Sequence, residues 1–239
     1  MSNKFFKNFP EITYKLSNDK VVRIKDFFRK SKIEQDAVNS IIDYNIYELT
    51  DGERPDIVAS KLYGDSNLHW TLFMVNDIEN YYDWHKDFGT FERYIDKKFP
   101  GQLAIGTQTT DIVSSTNKFL MGEKVTSSSS EGRVIEVSPL EKRICIEGGN
   151  FVANQQITGT VSGNSFTPTS VVNHRDGVSY YKNSDNLRRN TEASGFTGVS
   201  LYEEEFEINE SKRFIKYIQP NIITRVVNRF EKIMLSWVI

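Results

Sequence analysis

The sequence carries little with which to perform covalent or redox chemistry. Its one cysteine, Cys145, leaves no partner for an intrachain disulfide. That thiol stands in the alternating run Arg143-Ile144-Cys145-Ile146, with nothing near it in sequence to activate a thiolate, and reads as an inert strand residue. Three histidines, His69, His85 and His174, lack the i, i+4 spacing of a metal-binding helix, so no metal and no cofactor are expected. There is no Gly-x-Ser-x-Gly elbow and no Gly-Lys-Ser/Thr phosphate loop. The stretch Gly159-Thr160-Val161-Ser162-Gly163 lacks the lysine and the following helix that a phosphate loop requires. Glu203-Glu204-Glu205 is a run of like charges on an alternating segment. It reads as solvated surface, since a glycosidase pair needs carboxylates held across a substrate. The chain is expected not to be an enzyme.

Charge of one sign is not in excess either. Thirty basic and thirty-two acidic side chains give a formal charge of −2, which supplies no field for nucleic acid or an anionic bilayer. The cluster Arg29, Lys30 and Lys32 is diluted at once by Glu34 and Asp36 and reads as a solvated face. No stretch approaches the roughly 20 apolar residues of a membrane span, and the start lacks the apolar core of a secretory signal. A chain made and kept in cytoplasm is therefore expected. Aromatic residues, by contrast, are plentiful at 13%, more than a small single core needs, which points to interfaces.

Periodicity predicts an α+β fold of several small units, because 239 residues exceed one typical domain. Residues 1–100 form an N-terminal region around a strand-helix-helix module at 44–80. There Tyr44 to Leu49 alternates as a strand, and Asp51-Gly52 supplies a turn. Pro55 opens a short helix to Leu62, Tyr63-Gly64 ends it, and a second helix runs from Leu68 to about Val75. Its core is expected to include Leu49, Ile57, Leu62, Leu68 and Leu72. A further helix is predicted over about 90–98, stopped before Pro100.

Residues 101–167 read as a small antiparallel β barrel or sandwich. Within them Phe119 to Thr126 is echoed by Phe151 to Thr158, with strands at Gly132–Val137 and Lys142–Ile146 between the copies. Residues 168–239 read as an extended arm to about 200, a strand over Leu201–Ile208, and an amphipathic C-terminal helix opened by Pro220.

Two apolar stripes are candidate partner interfaces. At 100° per residue the second helix carries Leu68, Leu72 and Val75 on one side and Trp70, Phe73 and Met74 on the other, so it is buried all round. The C-terminal helix carries Ile222, Ile223, Val226, Val227, Phe230, Ile233 and Met234 on one stripe. Stripes this size are seldom left in water. Both are expected to be covered in the assembled particle, at least one of them by a different subunit, unless the two stripes pack against each other.

The run Asp51-Gly52-Glu53-Arg54-Pro55-Asp56-Ile57-Val58-Ala59-Ser60-Lys61-Leu62-Tyr63-Gly64, with Trp70-Thr71-Leu72-Phe73 and Val75-Asn76-Asp77-Ile78, resembles the baseplate wedge subunit of T-even-like contractile phages, the gene 53 product family. Phe9-Pro10-Glu11-Ile12-Thr13-Tyr14-Lys15 and Phe91-Glu92-Arg93-Tyr94-Ile95 extend the resemblance over residues 1–100. It implies a structural subunit of the virion tail baseplate, made and assembled in the host bacterial cytoplasm. The implied partners are the other wedge proteins, namely the large scaffold subunits and the small lysozyme-like subunit that starts the sheath. No nucleic acid, membrane or small-molecule substrate is implied.

The strand, turn, helices and Asn ending are also similar to a LysM repeat, which implies binding of N-acetylglucosamine polymers such as peptidoglycan as the alternative. The loop residues singled out by that likeness are Asp51, Gly52, Arg54, Pro55, Asn76 and Asp77. Saccharide-binding repeats typically read Gly-Asp-Thr there, and a charged, rigid Arg54-Pro55 pair would crowd a sugar groove.

Overall fold

The structure is a computed structural model that describes residues 9–26, 44–112, 118–128 and 130–236. Arg29, Lys30, Lys32, Trp237, Val238, Ile239 and the side chain of Met234 lie outside the described residues. The chain falls into two compact units, one of residues 1–88 with 209–239, the other of residues 89–208 inserted between those pieces. Helix and strand are mixed, as an α+β chain requires.

The first unit begins with an antiparallel hairpin of β1 (Glu11–Lys15) and β2 (Val21–Lys25). Strand β3 (Tyr44–Glu48) leads through the Asp51-Gly52 turn into α1 (Pro55–Tyr63). Pro55 sits in the first turn, where its missing N–H is not needed, and Asp56 lies at the positive end of the helix dipole. Gly64, at φ 72°, closes the helix by donating its N–H to the Ser60 carbonyl. A 3-10 turn over Ser66–Leu68 is capped by the Asp65 carboxylate, which accepts the Asn67 N–H, and α2 (His69–Val75) follows.

Helix α3 (Phe88–Lys98) leads into the second unit and ends before Pro100, which disfavours α backbone at the residue ahead of it. Strand β4 (Gln102–Ile105) and the single turn α4 (Thr109–Ile112) come next. They precede β5 (Lys124–Thr126), β6 (Glu131–Ser138), β7 (Arg143–Glu147), β8 (Ile157–Gly159), β9 (Ser165–Phe166) and β10 (Ser170–Asn173). Apart from α4 these elements make one antiparallel seven-stranded sheet in the order β10-β4-β7-β6-β5-β8-β9. Among the described residues it is an open sheet with two edges, so of the expected barrel or sandwich the barrel is not formed. Strands β4 and β10 lengthen it because β4 pairs with β7 on one side and β10 on the other.

The echo seen in sequence is structural, although only its ends are strand. Phe119 and Phe151 are both buried, Gly122 (φ 82°) and Asn154 (φ 62°) make corresponding left-handed turns, and Val125 and Ile157 are both fully buried. The two copies then pair, β5 against β8.

Residues 168–200 are not an arm. Beyond β10 they hold β11 (Val178–Lys182), β12 (Arg188–Arg189) and β13 (Thr197–Ser200), a second sheet in the order β12-β11-β13. The expected strand over Leu201–Ile208 is instead helix α5 (Leu201–Ser211). A capping box decides it: Glu203 accepts the Ser200 N–H at 2.8 Å, and the Ser200 hydroxyl accepts the Glu203 N–H at 3.2 Å. The helix presents Tyr202 and Phe206, spaced i, i+4, to Phe91 on α3, with ring centroids 5.6 and 5.9 Å away.

The chain then returns to the first unit with β14 (Phe214–Ile218) and α6 (Ile223–Ser236). The helix starts three residues after Pro220, following a turn in which the Ile222 N–H reaches the Gln219 carbonyl. Strand β14 lies antiparallel to β3, from Phe214 opposite Glu48 to Ile218 opposite Tyr44. One layer of core, with Leu49, Val58, Ala59, Leu72, Trp84 and Ile215, fills the space between this ribbon and the helices. Ile57 is 45% exposed rather than core, and Leu62 is only half-buried, because α1 turns Val58 and Ala59 inward instead.

Candidate interaction site in the first unit

The expected site residues fall into three places. Trp70 lies 4.7 Å, ring to ring, from Phe230, and the two share a core with Phe9, Leu68, Ile218, Ile223 and Val227. Met74, Ile222 and Val226 pack half-buried against it. The two predicted stripes thus cover each other, and Trp70, only 5% exposed, is a core residue of this chain. Phe73 belongs to the other layer, edge-on to Trp84 at 5.7 Å. The dividing line around α2 therefore runs elsewhere than expected: Leu72 and Phe73 face one layer, and Trp70, Met74 and Val75 the other.

The loop Asp51–Pro55 is held from beneath by Glu53, a residue that composition and motif did not single out. Its carboxylate is buried and accepts the Tyr47 hydroxyl at 3.0 and 3.2 Å, the Thr50 N–H at 3.1 Å and the Thr50 hydroxyl at 3.1 Å. The Lys61 ammonium of α1 completes the set. Burial by itself would raise this carboxyl, but the hydrogen bonds from Lys61, Thr50 and Tyr47 outweigh it and hold the group below the usual carboxylate range. The Glu53 carbonyl accepts the Trp84 indole N–H at 2.8 Å. Above this anchor Gly52 takes φ 74°, which favours glycine, and Arg54 is exposed with its guanidinium on Asp56 at 2.9 and 3.1 Å.

Asn76 works elsewhere. Its Oδ1 accepts the Lys216 N–H and its Nδ2 donates to the Lys216 carbonyl, each at 2.8 Å, so the amide pairs with β14 as a strand residue would. Asn209 repeats the device on Lys86, accepting its N–H and donating to its carbonyl at 2.9 Å each. Both clamps tie the late piece of the unit to the early one. Asp77, at φ 51°, turns the chain away after α2.

Apolar side chains that stay open lie where no stripe was predicted. Ile46 and Phe214 share the outer face of the β3–β14 ribbon, opposite the core layer, and Tyr81 and Tyr82 stand exposed beyond α2.

Residues 4–99 match a family model described as base plate wedge protein 53. Over that stretch the chain is similar to the base plate wedge protein 53 family. The wedge-family match runs from before the hairpin to the end of α3, takes in the Glu53-anchored loop, and leaves residues 100–239 outside it. The likeness is to a structural protein of the phage baseplate. No curated protein matches the chain.

In the second unit the remaining chemistry-bearing residues have structural work. Cys145 Sγ lies 3.2 Å from His174 Nδ1, a neighbour that sequence order hid. Burial pushes the thiol up to about 12 and the imidazole down, so the pair stays neutral and the thiol unreactive. The three glutamates of the acidic run are all engaged, Glu203 in the capping box, Glu204 with the Ser179 hydroxyl, and Glu205 with Lys98 at 2.7 Å and the Tyr94 hydroxyl at 2.9 Å. Among the described residues no cluster of histidine, cysteine and carboxylate side chains could hold a metal ion, and no helix is long and apolar enough to cross a membrane.

Proposed function

We propose that the protein is a non-catalytic joint of the baseplate wedge in a contractile tail. It connects the large scaffold subunits with the small lysozyme-like subunit that starts the sheath, and helps wedges assemble into the ring. The family match over residues 4–99 carries this reading. The open apolar residues Ile46, Phe214, Tyr81 and Tyr82 of the first unit, with the half-buried Phe73, Met74, Ile222 and Val226, supply the contact surface. Exposed aromatic and aliphatic anchors of this kind concentrate binding energy when a partner desolvates them. The deciding experiment is a purified-particle assay: the chain should be found in isolated baseplates, and a phage lacking it should stall before wedges close. Particles that assemble and infect normally without it would end this reading.

A second reading has a specific observation in its favour. The succession β3, α1 and α2, with the sequence-distant β14 paired antiparallel to β3, is similar to the strand-helix-helix-strand layout of a LysM-type glycan-binding module. Against it, Arg54 and Pro55 occupy the loop where small polar residues bind sugar. Titration with N-acetylglucosamine oligomers is expected to give no binding of useful strength. A micromolar dissociation constant, about −8 kcal/mol, would favour the cell-wall reading instead.

A further inference from the structure

Among the described residues the N-terminal hairpin has a strand edge and a face that nothing in its own unit covers. Its register pairs Ile12 with Ile24 and Tyr14 with Val22, so these four apolar side chains share one face. Glu11, Thr13, Lys15, Arg23 and Lys25 lie on the other. Among the described residues no third strand joins the pair. Tyr14 is exposed, and Ile12, Val22 and Ile24 are only half-covered. A lone two-stranded hairpin is marginal in water, whereas a wider sheet with one apolar face sustains itself.

The hydrogen-bond phase of the hairpin fixes what its outer edge offers. The Asp26 N–H reaches the Pro10 carbonyl and the Leu16 N–H reaches the Lys20 carbonyl, each at 2.9 Å. Even-numbered residues of β1 therefore direct N–H and C=O toward β2, and the odd-numbered Glu11, Thr13 and Lys15 direct theirs outward. Those three residues are exposed, Glu11 and Lys15 form ion pairs within the hairpin with Lys25 and Asp19 at 3.5 and 2.6 Å, and among the described residues no further strand pairs with this edge.

The sequence of this edge, Glu11-Ile12-Thr13-Tyr14-Lys15, is complementary to itself when reversed. We propose that a second copy of the chain docks here, β1 antiparallel to β1 about a two-fold axis through Thr13, giving a four-stranded sheet. Thr13 then faces Thr13 of the other copy, and Glu11 faces Lys15. All three facing pairs are of the outward class and exchange both N–H···O=C bonds. Ile12 faces Tyr14, so the apolar faces of the two hairpins become one continuous face. Opposite charges and apolar pairs set directly across from each other favour this register over its slips. Strand β2 offers no such match, since the same operation sets Arg23 against Arg23. Strands this short fall below the roughly 1,200 Å² of a stable interface, so the dimer is weak and concentration-dependent. The contact stands whether or not the chain acts in a baseplate.

Sedimentation equilibrium of the full-length protein in a concentration series reaching about 1 mM tests it. Wild type should show a monomer–dimer equilibrium. Glu11→Lys or Lys15→Glu, each of which sets like charges across the two-fold, should weaken it about ten-fold. The double reversal should restore it, and a mixture of the two single variants should form a heterodimer. Thr13→Pro removes only outward N–H groups, which an edge strand tolerates, so it should abolish the dimer with the far-ultraviolet circular dichroism unchanged. A monomer throughout overturns the proposal. So does a dimer indifferent to Thr13→Pro, or one that the double reversal fails to rescue.

Discussion

Glu53 and Glu123 are buried and ionised for one reason: each is surrounded by hydrogen-bond donors, some from its own turn and others from neighbouring elements. Glu123 accepts the N–H groups of Leu120, Val161 and Ser162 at 2.6, 3.3 and 3.0 Å and the Ser162 hydroxyl at 3.0 Å. The glycine-flanked stretch 159–163, dismissed as a phosphate loop, does cradle an anion, supplied by the chain itself. Burial would raise the Glu123 carboxyl, but those donors lower it, as they do for Glu53. A carboxyl held below its ordinary value of about 4.3 stabilises the fold above that pH, and the contribution is lost as pH falls through the lowered value. Glu123→Gln should therefore cost about 1.5–3 kcal/mol at neutral pH and flatten the loss of stability on acidification. Urea titrations between about pH 7 and pH 3 check both, and an unchanged acid slope would contradict the assignment. Trp70 belongs to the same scale. Because its ring lies in the chain's own core, Trp70→Ala should destabilise the isolated protein by about 3–5 kcal/mol, visible as a lower melting temperature. An unchanged melting temperature would mean that the ring is not packed as described.

At the scale of elements, periodicity located helices well where one face dominates, as in α3 and α6. It failed over Leu201–Ile208, where Tyr202, Phe206 and Ile208 alternate with Glu203, Glu205 and Glu207 and imitate a strand. The correct signal was local: Ser200 followed three residues later by Glu203 is a capping box, and Tyr202 with Phe206 marks a helix face. Ser200→Ala should cost about 0.5–2 kcal/mol, and Ser200→Asp should recover most of it, by thermal or chemical denaturation. Equal stability of all three proteins would remove the box as the cause of the helix. The β region was misread for a different reason. Its strands and turns are short-range features, but β4 and β10 join the sheet through pairings with residues about 40 and 65 positions away, which no local pattern encodes.

At the scale of the molecule, the first unit is built from both ends of the chain. Strand β14 completes the β3 ribbon, α6 covers Trp70, and the Asn76 and Asn209 amides clamp the two pieces together. Placing charge in that core, as in Ile223→Asp with Val227→Asp, should unfold the first unit while the second persists. Hydrogen exchange should then lose protection over 44–84 and keep it over 102–147. Equal loss in both would show that the units do not fold independently. The sequence by itself determined the α+β class, the strand-helix-helix order of 44–75, the apolar character of both stripes and the wedge resemblance, because each rests on neighbours within a few turns or on a contiguous motif. Only the tertiary structure decided that the stripes cover each other, that the sheet stays open, and which apolar side chains remain for a partner. Amphipathicity states that a face must be buried, but any apolar surface satisfies it, and the choice is made by strand pairing and packing between distant residues.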